Sequence, residues 1–509
     1  MNTIIRRKLA NRKRRIQRRL DKTDLRGCHE PMMTASNIHY EIADRSRGIS
    51  VGGIGAMHKL VRQIGLIEAL DRRLELLKLH LPYHDSDHVL AIAYLPLCGG
   101  TCLEDLELLR NDAVFLDALG ARRIPDPTTA GDFCRRFTKD SINTLQDVIH
   151  DTRIQVWAGQ PAAFFDQALV DMDGTLVATT GQCKRGMDIA YDATWGYHPL
   201  VLTLANTGEV LSLINRPANR PSQEGAAAQV DRVLEVCFRG GFRRALLRGD
   251  TKFSQTEHLD RWSDDPRVHF LFGYEAKQNL QAIAAALPAC AWRPLQRPAR
   301  YAVKTQARVR PDNVKEAIVV ARAFENQRLQ SEEVAEFNYQ PSACAKTYRM
   351  VVVKKNISVE KGEKLLFDQI VYFFYITNDW VSEADEIVFL ANDRCDQENV
   401  LAHLHGGVRA LRAPLDTLES NWAYMVMTAL AWNLKAWWAL TLPARPGRYH
   451  DQHQADKRWV LRLEFKRFVN AFVRLPCQII RTSRKLVYRL LGWNPYQPIF
   501  FRLVNVLRC

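Results

Sequence analysis

From about residue 50 to 160, apolar positions recur every three or four residues, the period of helices that bury one face. "MHKLVRQIGLIEALDRRLELL" sets Leu60, Ile64, Ile67, Leu70 and Leu74 on one stripe, and "HDSDHVLAIAYLPLCGG" opens on Asp/Ser and closes on paired glycines. "IPDPTTAGDFCRRF" adds a Pro-rich turn, a Thr cap and a helix carrying Arg135 and Arg136. That helix–turn–helix spacing suits DNA reading and a plain bundle alike. From about 164 the pattern turns to strands: "ALVDMDGT", "HPLVLTLAN" and "EVLSLINRP" precede an amphipathic helix, "SQEGAAAQVDRVLEVCFRGG". "RRALLRGD" and "VHFLFGYE" supply two more strands around a helix that Ser254-x-x-Glu257 would cap. This order predicts a mixed α/β sheet. Further β-like runs follow, "RYAVKTQARV", "EAIVVARAFEN", "YRMVVVKKN" and "QIVYFFYITND", up to about 380. A single helix is then expected from Ser382 to Gly406-Gly407.

"WAYMVMTALAWNLKAWWALTL", Trp422–Leu442, is long enough to span a bilayer, but Asn433 and Lys435 interrupt it and no second span exists. A buried helix is expected, with no membrane partner. The chain thus divides into a basic flexible arm (1–35), a helical region (36–160), a mixed α/β region (161–275), a β-rich stretch (276–380), a helical stretch (381–442) and a basic, aromatic-rich C-terminal region (443–509).

The chain has 509 residues and a net charge of +15, which favours a polyanionic partner. The charge is concentrated in "RRKLANRKRRIQRR", Arg6–Arg19, and in two aromatic-bearing segments, Lys457–Leu475 and Arg481–Leu503. The 11 cysteines are scattered with no CxxC pair, and Cys98 and Cys102 lack a matching zinc-like pair, so reduced thiols and a cytoplasmic location are expected. The basic N-terminal run is not followed by the apolar core of a secretory signal.

In "LVDMDGTLV", Asp171 and Asp173 share one strand face, where two like charges are costly. Two chemistries fit. Asp171 and Asp173 could be the nucleophile and general acid of an aspartyl-phosphate phosphatase of the haloacid-dehalogenase type, whose first motif "DMDGTLV" matches. Alternatively, Asp173 meets Asp250, at the end of "RRALLRGD", and a helix-borne acid around divalent cations about 3.5–4 Å apart. Position 254, where the phosphatase needs a second acid, is Ser. Mg²⁺ takes carboxylate oxygens and water, as such a trio would offer.

Taken together, "DMDGT", "RGDTKFS", "YFFYITNDW" and "NDRCDQEN" resemble DDE insertion-sequence transposases, most nearly the IS-thirteen-eighty group of the IS-four superfamily. The resemblance runs from "YHDSDHVLAIAY" to "WNPYQPIFFRL". It implies an α/β protein with an RNase H-like mixed-sheet catalytic core, a β-rich insertion and a helical N-terminal DNA-binding region. It makes Asp173, Asp250 and Glu398 the catalytic and metal-binding triad, with Thr175 in the Asp-x-Thr arrangement and Arg394 in Arg-x-x-x-Glu. Glu386 and Asp396 compete with Glu398, and Asp171 is a rival or helper of Asp173. Related transposases carry a Tyr and a Lys or Arg where this chain has Ala391 and His405. Lys252 and Trp380 become DNA contacts, Trp380 by stacking on an extruded base. The implied cofactor is Mg²⁺, two ions per site, with Mn²⁺ as a substitute. The implied partners are double-stranded DNA, as terminal inverted repeats and target, and a second copy of the chain in a dimeric DNA complex in the bacterial cytoplasm. A domesticated, non-catalytic DNA-binding protein is the third class.

Overall fold

The computed structural model describes residues 3–21, 33, 35–42, 46–78, 82–297, 314–323, 325–361, 364–444, 446–482 and 485–507. Its centre is a mixed sheet. Strands β1 (Ala168–Gly174), β2 (Leu200–Leu204) and β3 (Glu209–Ile214) form an antiparallel meander. β4 (Ala245–Gly249) and β5 (Val268–Tyr274) then add in parallel on the other side of β1, giving the order β3-β2-β1-β4-β5. Three antiparallel strands followed by two parallel ones is the RNase H-like arrangement.

The sheet does not stop at β5. The long strands β6 (Glu325–Tyr339), β7 (Tyr348–Lys361) and β8 (Lys364–Thr377) form a meander whose last member pairs with β5, and Arg293–Pro294 closes the far edge. Phe374 lies opposite Tyr274, so the ten residues of β8 before it run about 30 Å past the C-terminal end of β5. The strand-rich stretch is therefore a blade continuous with the central sheet.

Helices cover both faces. In chain order they include α1 (Thr3–Asp21), α2 (Asp85–Leu97), α3 (Pro127–Arg135), α4 (Lys139–Trp157), α5 (Ala226–Arg239), α6 (Ala384–Asn392), α7 (Cys395–His405) and α8 (Leu418–Leu440). Every residue of α8 from Ser420 to Leu440 is buried, between α2, α3, α4 and β3. Among the described residues no helix is long and apolar enough to cross a membrane. Asn433 earns its place in this apolar run by pairing with the edge strand β3: its amide accepts from Val210 N (2.8 Å) and donates to Val210 O (3.1 Å). Trp422 donates to Leu213 O and Gln146 accepts from Leu213 N, so side chains take the role of a further strand on this edge. Beside them Glu209, wholly buried, accepts from Arg153, Trp157, Thr207 and Trp437.

Several expectations need correction. The basic arm is helical over Thr3–Asp21, and Arg12 donates to Leu490 O and Gly492 O; Arg, Lys, Leu and Gln are good helix formers once an anchor exists. "EAIVVARAFEN" is not a strand: Val314–Ala321 is helix, since a short apolar run has no decisive period. "RYAVKTQARV" lies outside the described residues. The stripe from Leu60 to Leu74 belongs to two helices, parted where Gly65 takes φ +68. α3 is capped by Asp126 rather than by Thr. Ser254 donates to Thr251 O instead of capping a helix, which starts later, at Leu259. The helix expected from Ser382 breaks at Asp393–Arg394 into α6 and α7, and Glu383 caps it. Gly48–Ile49 pairs with Cys477–Arg481, so the N- and C-terminal regions share one core. Phe465, Phe468 and Phe472 of the C-terminal region are buried in that core and unavailable for stacking on bases.

Candidate active site

β1 and β4 are parallel neighbours, so residues leaving their C-terminal ends emerge together. Asp171 and Arg248 face each other in register and form a buried two-pronged pair, Nε–Oδ1 2.6 Å and Nη2–Oδ2 2.8 Å. Arg248 also donates to Leu390 O at the end of α6. Burial raises the Asp171 pKa against the pull of Arg248. Asp171 is thus an anchor, with both oxygens engaged.

Asp173, two residues on, stands where the strand meets solvent. Burial lifts its pKa to about 6; the nearby Arg394 guanidinium opposes the rise and the Asp250 charge adds to it. Arg394 Nη1 lies 3.3 Å from Asp173 Oδ2. Asp250 directly follows β4 and caps the turn Thr251–Ser254 by accepting from Lys252 N at 2.9 Å. The two acids are therefore within electrostatic reach of one another.

Glu398, the acid expected as the third, lies on α7. Arg394, just before the helix, reaches Asp173, and His405, at its end, places Nε2 2.8 Å from Thr175 Oγ1. At about 100° per residue, positions 394, 398 and 405 fall within about 40° of one another around the axis. Glu398 therefore shares the helix face that Arg394 and His405 turn toward the end of β1, but its side chain is exposed. Among the described residues no three His, Cys, Asp or Glu side chains are close enough to hold a metal ion. The structure brings Asp173 and Asp250 together and leaves Glu398 on the facing helix.

The competitors part company here. Glu386 accepts from Glu383 N in the cap of α6. Asp396 is exposed on the first turn of α7, and its charge is felt by Asp171. Lys252 sits beside Asp250 with Nζ 5.9 Å from the Tyr191 ring centroid. Arg135 is engaged by Asp132 and Asp416, while Arg136 is exposed at the end of α3. Trp380 is misplaced for its expected role. It follows β8, and Asn378 beside it bonds Val268 O and Phe270 N at the start of β5, whereas Asp250 lies past the strand ends at the other edge. The cause is strand direction: β8 is antiparallel to β5, so its C-terminus falls at the wrong end.

Sequence reasoning gave no role to two residues. His405 stood out only as a departure from the resemblance. His198, just before β2, packs its Nε2 against Gly174, where a Cβ would come within 2.8 Å, and its Nδ1 pairs with Arg220 O. Burial lowers the pKa of both histidines.

The donor set fits a hard divalent cation. Asp173 is lifted by burial and by a neighbouring negative charge, which a cation would reverse, and all candidate ligands are carboxylate oxygens. Asp173 and Asp250 offer two of the carboxylates such a cation needs.

The strand order and the acids at its C-terminal edge define the chain as an α/β protein of the RNase H-like class. Residues 42–509 match the family described as transposase DDE domain group 1, and the chain belongs to that family. No curated protein matches it. Among solved structures, it is similar to piggyBac transposase in a synaptic complex with hairpin DNA, studied by cryo-EM, at 8% identity and a TM-score of 0.36 over 84% of this chain and 82% of that one. That likeness is too loose to carry residue positions.

Proposed function

We propose that this transposase cuts and joins DNA by metal-dependent phosphoryl transfer, and that it falls in the IS-thirteen-eighty group. The observation that carries the reading is the meeting of Asp173 and Asp250 at the ends of adjacent parallel strands, beneath the face of α7 that bears Glu398. Water attacks a phosphodiester at the element's end, its oxygen bonding to phosphorus as the bond to O3′ breaks. The freed 3′-OH then attacks a target phosphodiester and displaces its O3′ in the same way, with no covalent enzyme intermediate. Bound Mg²⁺ ions would supply activation of the attacking oxygen and neutralisation of the leaving one.

The chain's own groups position and compensate. Asp173, Asp250 and Glu398 would hold the cations. Arg394 balances Asp173 until DNA arrives and is then placed to take a phosphate oxygen. His405 fixes Thr175 beside the first acid, and Lys252 offers a cation next to the second. The helical region recognises the inverted repeats, and a dimer pairs two ends.

The phosphatase reading loses ground because Asp171, its nucleophile, has both oxygens bound to Arg248. Incubating purified protein with end-bearing DNA and Mg²⁺ tests the proposal. Nicking that needs the metal and disappears in Asp250→Ala, with DNA binding retained, supports it. Full cleavage by Asp250→Ala would falsify the metal-site assignment, and binding without any cleavage would mark a domesticated protein.

A further inference from the structure

Between β1 and β2 the chain makes an excursion that the sequence pattern leaves without a role. Thr175 N donates to Pro199 O (3.0 Å), Val177–Ala178 pairs with Trp195–Tyr197, and Asp188–Ile189 pairs on the other side of that strand. The result is a small three-stranded sheet standing on the end of the β1–β2 hairpin, just past Asp173. It is firmly held. Lys184 Nζ donates to Leu415 O, Arg185 N to Asp416 O and the Tyr197 hydroxyl to Arg185 O. Gly196 lies so close to Val177 O that a Cβ would clash at 2.1 Å. The tip closes through Ala190 N to Thr194 O (2.8 Å), with Ala193 at φ +66.

On this platform large apolar side chains face solvent: Tyr191 is 98% exposed, Trp195 52% and Ile189 42%. Ile189 and Trp195 are register partners and share a face; Tyr191 stands at the turn. Their exposure adds nothing to the core, and an exposed apolar cluster on a rigid hairpin marks a binding surface. The platform's carboxylates are turned back on the backbone, Asp188 to Ile189 N and Asp192 to Thr194 N. Lys252, two residues from Asp250, sets its Nζ 5.9 Å from the Tyr191 ring centroid. An aromatic ring near a lysine, with a second exposed aromatic on the same small sheet, matches the chemistry of an unpaired nucleobase, whose ring stacks while its phosphate meets the cation. Paired bases inside a duplex do not offer their faces.

Resting on the DNA-cutting reading, we propose that Tyr191 and Trp195 form a stacking platform for unpaired bases of the strand entering the active site. The platform takes the role that Trp380 is placed too far away to fill.

The test uses the full chain and two probes: a blunt duplex, and the same duplex with a single-stranded overhang carrying 2-aminopurine. In the double variant Tyr191→Ala/Trp195→Ala, overhang affinity should fall about tenfold or more, and contact quenching of 2-aminopurine should be lost. Blunt-duplex affinity and thermal unfolding should hold, and Tyr191→Phe should keep the quenching. Unchanged overhang binding overturns the proposal, as does an equal loss with both probes. Wild-type protein that self-associates through this patch, with the double variant monomeric in sedimentation, overturns it in favour of a protein interface. Because the readout is binding, absence of cleavage would defeat the enzymatic reading while leaving this result to stand or fall by itself.

Discussion

Asp171 and Asp173 sit two residues apart on one face of β1, and their surroundings give them opposite tasks. Asp171 is locked to Arg248 inside the protein, while Asp173 faces Arg394 and Asp250 at the rim. Removing one partner of a buried pair leaves a lone charge in the core. Arg248→Met should therefore destabilise the fold by about 3–5 kcal/mol, read as a shift in chemical unfolding. The double variant Asp171→Leu/Arg248→Met should recover much of that loss. Lys435 gives a pH-dependent counterpart. Burial pulls its pKa down to about 7, although its ammonium meets Leu461 O at 2.8 Å and lies 3.9 Å from the Trp432 ring centroid. Between pH 7 and its ordinary value near 10.5, the unfolded chain holds a proton that the folded chain releases, so this group makes stability rise with pH across that window. Lys435→Met should melt higher than wild type at pH 7, and the gap should narrow as pH rises toward 10. A constant gap across that range would contradict the assignment.

At the scale of elements, β3 shows how an edge strand is kept from pairing elsewhere. Its outer backbone groups bond to Asn433, Trp422 and Gln146. Asn433→Leu orphans Val210 N, whereas Val210 O keeps Arg153, so a loss of about 1–3 kcal/mol is expected. Hydrogen exchange should show it first as faster exchange of the Val210 amide. Individual elements were the legible part of this chain. Alternating apolar positions marked β1, β4 and β5, and with them Asp173 and Asp250 at the strand ends. α7 was visible too, but the break before it was not, because one turn at Asp393–Arg394 leaves no mark on a helical period. The excursion at 178–197 has neither period, so its aromatics went unread.

For the whole molecule, strand pairing is what a local pattern cannot give. That β8 joins β5 in antiparallel register depends on contacts about a hundred residues apart, and this alone decides that Trp380 lies at the start of β5, away from the acids, while the long strands run out past the end where the acids stand. The same limit holds for the two ends of the chain, which share a core through Gly48–Ile49 and Cys477–Arg481. The charge of +15 was legible as a number and points to DNA, but its placement was not: Lys354 pairs with Glu333 and Arg297 with Glu332, and such pairs leave the net excess unchanged. Electrostatic binding should depend on where that excess lies on the surface, and log affinity should fall linearly with log salt, with a slope set by the number of phosphates contacted.

The central proposal is that Glu398 joins Asp173 and Asp250 in one cation site. The direct measurement is Mg²⁺-dependent cleavage of end-bearing DNA by Glu398→Gln and Asp396→Asn, with DNA binding followed in the same proteins. The account predicts that Glu398→Gln binds DNA but cuts it about ten-thousandfold more slowly or worse, while Asp396→Asn stays close to wild type. Wild-type cleavage by Glu398→Gln, or loss of cleavage in Asp396→Asn alone, would contradict it.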